Sequence, residues 1–357
     1  MRLPFLDHRA DLAVLARELG ISEEAVRLHH DCEVIDLHVD SFIWTRVFGY
    51  DLRRRHGAGL LGGDLFSQVD FPRVLEAGVT GAMWSITTQP LRTASSRARA
   101  FSTNLERLRA IFATVPEQFE VVRDLAGYRA ARAAGRHAAM IAVQGGNAVD
   151  ATPDTVELLG RDVLRVTLVH LSSSRLGATS SPLRRGPDGG LTTPGREMVE
   201  ALNARRILVD LAHVSRRGFF DAVAAHDRSL PLIVTHTGVS GVHPHWRNLD
   251  DEQLRAIADT GGTVGIMFQS DFLDGRRRGT TSRAVVDHVA HVVDAVGEDH
   301  ASIGSDFDGA IVPPDDLRSC LELPRLVQHM LDRGWSDERI RKILGGNFLR
   351  VLGHLRG

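Results

Sequence analysis

Eight short apolar runs, each followed by a longer amphipathic stretch, constrain this chain more than any other feature. They are "VIDLHVD" (34–40), "GVTGAMWSI" (78–86), "HAAMIAVQGG" (137–146) and "DVLRVTLVH" (162–170). Then come "ILVDLAH" (207–213), "LIVTHT" (232–237), "GTVGIMF" (262–268) and "ASIGSDFDG" (301–309). Several are continuous rather than alternating, as strands covered on both faces of a parallel sheet must be. Between them lie helical patterns such as "ASSRARAFSTNLERLRAIFATV", "TPGREMVEALNARR", "SRRGFFDAVAAH" and "LDDEQLRAIADTG". The last carries acidic residues in its first turn and stops at Gly261, as capping and the helix dipole favour. Eight such strand–helix units predict an α/β chain folded as a (β/α)8 TIM barrel. A doubly wound open sheet with an extra domain is the competing architecture. No Pro/Gly/Ser linker divides the chain, so residues 1–357 are expected to form one domain, opening with a helical segment over about 8–30. Residues 57–63 and "SPLRRGPDGG" (181–190) read as surface loops, the second long enough to border a site.

Composition narrows the function. A length of 357 residues, 43% hydrophobic and 25% charged, is that of a soluble globular protein with a large core. The net charge of -2 creates no field that would attract nucleic acid or anionic lipid. Lys342 is the only lysine, which coding bias explains. No apolar run approaches the roughly 18 residues of a membrane span. The N-terminus has Asp7, Arg9 and Asp11 where a signal peptide would need an apolar run, so a cytoplasmic location is expected. Cys32 and Cys320 lie far apart and are read as reduced thiols.

In a barrel of this kind, reactive groups belong at the C-terminal ends of the strands. Polar residues recur at those ends: His38 and Asp40, Gln144, His170, His213, His236, then Asp306 and Asp308. Residues i and i+2 of a strand face one side, so His38 and Asp40 can grip one ion together. Imidazole nitrogen and carboxylate oxygen suit zinc at about 2.0–2.2 Å. A single strand histidine is ordinarily a hydrogen-bonded core residue, but a set at corresponding ends points to a metal site. Asp308, in "DFDG", reads as a turn cap rather than a reactive group.

In these motifs and their order the chain resembles the membrane (renal) dipeptidase family of zinc hydrolases, (β/α)8 barrels of the amidohydrolase superfamily. The likeness runs from about residue 22 to the end. "VIDLHVD" resembles the family's "ViDGHnD", "VTLVHLSSSRLG" its "LTLtH" strand, and "ILVDLAHVS" its "iiDlSHvS". "PLIVTHTGVSGVHPHWRNLDDEQLRAIADTGG" is similar to its "SHS…RN" block, "IGSDFDG" to "iGsDfDG", and "GGNFLRVL" to the closing "GgNllRv". The resemblance implies that His38 and Asp40 bind one zinc and that His213 and His236 bind a second. It further implies that His170 stabilises the oxyanion, that Arg247 binds the substrate carboxylate, and that Asp306 shuttles a proton to the leaving amine. The family bridges its two ions with the glutamate of "EGG"; this chain has Gln144 in "QGG". A glutamine offers one neutral carbonyl oxygen, and its amide nitrogen cannot ligate. The loss of one negative charge between two dications argues against a tightly held pair, so one or two zinc ions are expected. Asn147 stands where relatives carry histidine in "EGGH", and "GIMFQSDFL" departs from the family after the seventh strand. The implied function is metal-dependent hydrolysis of dipeptides or a related small amide. The alternative is a homologue with an altered metal site, in a biosynthetic tailoring pathway or as a non-catalytic binding protein. The implied partners are a small dipeptide-like substrate and a second copy in a homodimer, with no nucleic acid and no membrane.

Overall fold

The computed structural model describes residues 1–59, 61–87, 92–182 and 189–357. Its strands are β1 (Ile35–Val39), β2 (Gly81–Thr87), β3 (Phe119–Val121), β4 (His137–Gln144) and β5 (Val163–Thr167). They continue with β6 (Leu208–Asp210), β7 (Ile233–Thr237), β8 (Thr263–Ile266) and β9 (Ala301–Ile303). Eight run side by side in the order β1-β2-β4-β5-β6-β7-β8-β9, every neighbouring pair parallel. The ring closes through a parallel bridge between Val39 and Phe307. There the Asp40 amide donates to Phe307 O (2.9 Å) and the Asp306 amide to His38 O (3.1 Å). The architecture is the TIM barrel that the strand–helix alternation predicts.

Strand β3 is an addition to that prediction. It pairs with His137–Ala139, the first residues of β4, while β5 begins its pairing only at Ile141. The short strand covers an edge that the barrel leaves open, and three residues are too few to carry a periodic signal.

Helices Ala94–Ala113, Thr193–Ala204, Arg216–Ala225 and Asp251–Ala258 fall on the amphipathic stretches. Each starts on a side chain that accepts a first-turn amide: Thr93, Thr192, Ser215 and Asp250. Asp250 and Gln253 form a full capping box. The N-terminal segment is a 3-10 turn (His8–Ala10) and two helices, Leu12–Leu19 and Glu23–Asp31. Inside the structure, Met83, Met140, Leu208 and Ile233 cluster with Phe348, Val351 and Leu352 of the C-terminal helix Asn347–Arg356. Both cysteines are buried free thiols. Of the expected loops, 57–63 is turns built on Gly59, Gly62 and Gly63 at positive φ, residue 60 lying outside the described residues. Within 181–190, residues 183–188 lie outside them too. Among the described residues, no helix is long and apolar enough to cross a membrane.

Candidate active site

The expected polar residues converge at one end of the barrel, but not all from the strands themselves. His38 and Gln144 lie within β1 and β4, and His236 within β7. Asp40 follows β1 directly, whereas His170, His213 and Asp306 each lie three residues beyond β5, β6 and β9. Expectation placed the last three at strand ends; they lie in the segments just beyond, His213 in a turn. His213 and Asp306 have φ of 66° and 61°, a left-handed conformation that non-glycine residues adopt at a cost of about 1–3 kcal/mol. The cost is met where the turn must aim a side chain inward. Asp308 (φ 64°) is a buried turn residue, accepting from Ser41 Oγ and from the Gln68 amide (2.8 Å).

His38 is fully buried, and its Nε2 lies 3.5 Å from both Asp40 Oδ2 and Asp306 Oδ1. The i, i+2 spacing thus puts the first histidine and aspartate on one side, as expected. Behind the ring lies a residue the sequence reading passed over. Arg165, on β5 and fully buried, approaches His38 Nδ1 to 2.8 Å through Nη2, which also donates to Ser85 Oγ (2.9 Å). Its Nη1 lies 3.3 Å from Asp210 Oδ2. Asp210 in turn accepts from the Thr167 and Thr235 hydroxyls (2.6 and 2.7 Å) and from the amides of Ala212 and Thr235.

His236 is bonded differently. Its Nδ1 lies 2.8 Å from Thr235 Oγ1, whose proton is committed to Asp210. That hydroxyl therefore accepts from the ring, and the Nε2 lone pair is left facing the mouth. His213 Nε2 is 2.8 Å from His236 Nε2, and His213 Nδ1 is buried without a hydrogen-bond partner. Among the described residues, ligand atoms of His38, His236 and Asp306 lie within 4.8 Å of one another.

Gln144 spans the mouth. With its amide turned so that both ends are satisfied, Nε2 donates to Asp40 Oδ2 (2.7 Å) and Oε1 accepts from His170 Nε2 (3.2 Å). The end facing His170 is also 3.3 Å from His213 Nε2. Thr87 Oγ1 donates to the other Asp40 oxygen (2.7 Å). Desolvation lowers His170 to about 4, so the ring is neutral at pH 7. Burial, then the Asp40 carboxylate, pushes Asp306 well above the usual carboxylate range. Arg247 is buried, donates through Nη2 to His236 O (2.6 Å), and keeps a buried Nε with no partner. Beside His170 opens a cavity of about 430 Å³ lined by Ile86, Phe101, Arg46, Arg97 and Asn147.

A family model described as membrane dipeptidase (peptidase family M19) matches residues 22–356. The chain belongs to the membrane dipeptidase family. It is by that membership a dipeptidase-like hydrolase of a metallopeptidase family. It is similar to dipeptidase aclJ of Aspergillus oryzae, 26% identical over 335 residues, 89% of this chain and 77% of that protein. It also matches an uncharacterized protein encoded 5′ of pqqA in Klebsiella pneumoniae, 40% identical over 166 residues. That match takes in 46% of this chain and 60% of the relative. Among solved structures, a Rhodobacter sphaeroides metallopeptidase liganded with a phosphinate mimic of the dipeptide L-Ala-D-Ala superposes with a TM-score of 0.79. The two are 26% identical, over 90% of this chain and 98% of that one. Membership in the dipeptidase family implies metal, and the donor chemistry of the mouth meets that demand on one side. The His236 lone pair and His213, whose Nδ1 meets no opposing donor, fit an ion; His38, facing a guanidinium, does not offer the same donor.

Proposed function

We propose that this chain hydrolyses dipeptides, or small amides built like them, in a zinc-dependent reaction at the barrel mouth. The observation that carries the reading is the convergence of buried His213, His236, Asp306 and Arg247 with half-buried His170 at one end of the barrel, beside a cavity. Zinc suits the histidine-rich donor set, and when bound it supplies an activated water and polarises a carbonyl. The protein's own groups do the rest. Arg247 offers its Nε to the substrate's terminal carboxylate, held in place by its bond to His236 O. His170, neutral, turns its Nε2–H from Gln144 Oε1 to the scissile carbonyl oxygen as negative charge grows there. Asp306 takes a proton from the attacking water and returns it to the departing amine, the task for which a carboxyl of raised pKa is suited. The cavity beside His170, apolar at Ile86 and Phe101, receives the side chain on the other side of the scissile bond. Given the dipeptide mimic in the Rhodobacter relative, substrates with a D residue at the C-terminus belong in the test.

The test is a mass-spectrometric assay of zinc-loaded protein against L,L and L,D dipeptides. Cleavage that a chelator abolishes and zinc restores is the expected result. Zinc-loaded protein that cleaves no member of a broad dipeptide set would overturn the reading.

A further inference from the structure

We propose that Arg165 holds His38 in the tautomer whose Nε2 carries the proton, so that the His38–Asp40–Gln144 half of the mouth is closed to metal and the chain retains a single ion, on His213 and His236. The proposal rests on the metal-dependent reading above and assigns its metal count. A guanidinium nitrogen donates and has no lone pair to accept with, so the atom it faces must be an acceptor. Arg165 Nη2 faces His38 Nδ1 at 2.8 Å, which places the neutral ring's proton on Nε2. That N–H points between Asp40 and Asp306. To give Nε2 to a metal, the ring would have to move its proton to Nδ1, directly against an Arg165 N–H. The guanidinium is held in place, because Nη1 donates to Thr167 Oγ1 and Val143 O and Nη2 also donates to Ser85 Oγ. Its counter-ion Asp210 is itself held by four donors.

The other two members of this half are spoken for as well. Both Asp40 oxygens accept hydrogen bonds, from Thr87 and from the Gln144 amide. A glutamate at 144 would set a second carboxylate against Asp40, an arrangement that a cation between them would settle. The glutamine settles it with an N–H bond and needs no ion. Gln144 and Arg165 thus make the half more positive by about two charges than a glutamate with an uncharged residue at 165 would, which disfavours a dication there. His236 obeys the opposite rule: its Nδ1–H is given to a hydroxyl and its Nε2 lone pair faces His213 Nε2 (2.8 Å), whose proton can move to an Nδ1 that no donor opposes. Arg165 is accordingly a positioning residue.

The wild-type protein provides the first test. Two-dimensional 15N–1H NMR of its imidazoles, with His38 assigned by its loss in His38→Gln, should show a protonated Nε2 and bare Nδ1 before and after zinc is added. Native mass spectrometry with zinc in small excess should count one zinc per chain. A protonated Nδ1 on His38, or two zinc ions per chain, would overturn the proposal. Variants then separate the lock from the charge: Gln144→Glu alone should stay at one zinc, and Gln144→Glu with Arg165→Met should reach two. Two zinc ions in Gln144→Glu alone would show that Arg165 is no lock. Failure of the double variant to fold leaves the wild-type tautomer and metal count to decide. Protein that cleaves no dipeptide yet shows the Nε2–H tautomer and one zinc would sink the functional reading while supporting this one; cleavage with two zincs would do the reverse.

Discussion

The two sides of the barrel mouth hold the same kinds of residue and treat them in opposite ways. On the β7 side, Thr235 accepts from His236 Nδ1–H and leaves its Nε2 lone pair to His213 Nε2, while His213 Nδ1 meets no donor. On the β1 side, every polar atom of His38 and Asp40 already meets a donor or an acceptor from the protein. An imidazole is a ligand or a hydrogen-bonded core residue according to what lies behind it. One buried residue common to both sides, Asp210, sorts them, since it bonds Thr235 under His236 and pairs with Arg165 under His38.

The largest expected difference between the sides is in metal and turnover. His236→Ala should empty the site and lower kcat/KM by about 10⁴-fold or more, because the several kcal/mol of Lewis-acid stabilisation go with the ion. His38→Ala should keep its zinc. Atomic absorption on the two purified variants checks this, and equal loss of zinc from both would erase the asymmetry.

Next in size is Asp306→Asn. Its carboxylate lies 3.5 Å from His38 Nε2 yet serves the reaction rather than the ion in this reading. The amide should cut kcat by about 10³-fold, the scale of general acid–base catalysis, with the zinc count unchanged. If zinc leaves with the carboxylate, Asp306 is a ligand and the two sides share the ion. Arg247→Met should act mainly on binding, raising KM by about 10–100-fold, the equivalent of a charged hydrogen bond worth about 1.5–3 kcal/mol. A fall in kcat at constant KM would assign Arg247 to the transition state instead.

How far the sequence foretold this asymmetry depends on the residue. The barrel was legible because parallel strands covered on both faces must be apolar throughout, as "HAAMIAVQ" is. The convergence of His38, His213, His236 and Asp306 followed from strand-end placement and from the motif resemblance, and the family match covers the same span. Gln144 stood out because its chemistry differs from the glutamate expected there. Arg165 did not, because one arginine in "DVLRVTLVH" has the look of an outward-facing strand residue. Only its contacts with His38, Ser85 and Asp210, on three other strands or their ends, show that it turns into the barrel. Its partner Asp210 was likewise hidden, because a buried ion pair is a property of two distant strands and leaves no mark on either alone.

The smallest expected effect is the most discriminating, since it touches stability rather than turnover. Gln144 joins Asp40 to His170 through the two ends of its amide. Gln144→Glu removes the donor to Asp40 and sets two buried carboxylates against each other. One of them must take up a proton or leave the other's field, so the variant should lose about 2–3 kcal/mol of stability at pH 7, read as a lower midpoint in urea. In a mouth able to take an ion between positions 40 and 144, zinc would restore that loss through binding to the folded state alone. With Arg165 fixing His38, zinc should raise the midpoints of wild type and Gln144→Glu by the same amount, both gains coming from the His213–His236 side. A larger gain in the variant would mean that the β1 side had opened to metal on the strength of one carboxylate, and the difference between the two sides would then lie in Gln144 alone.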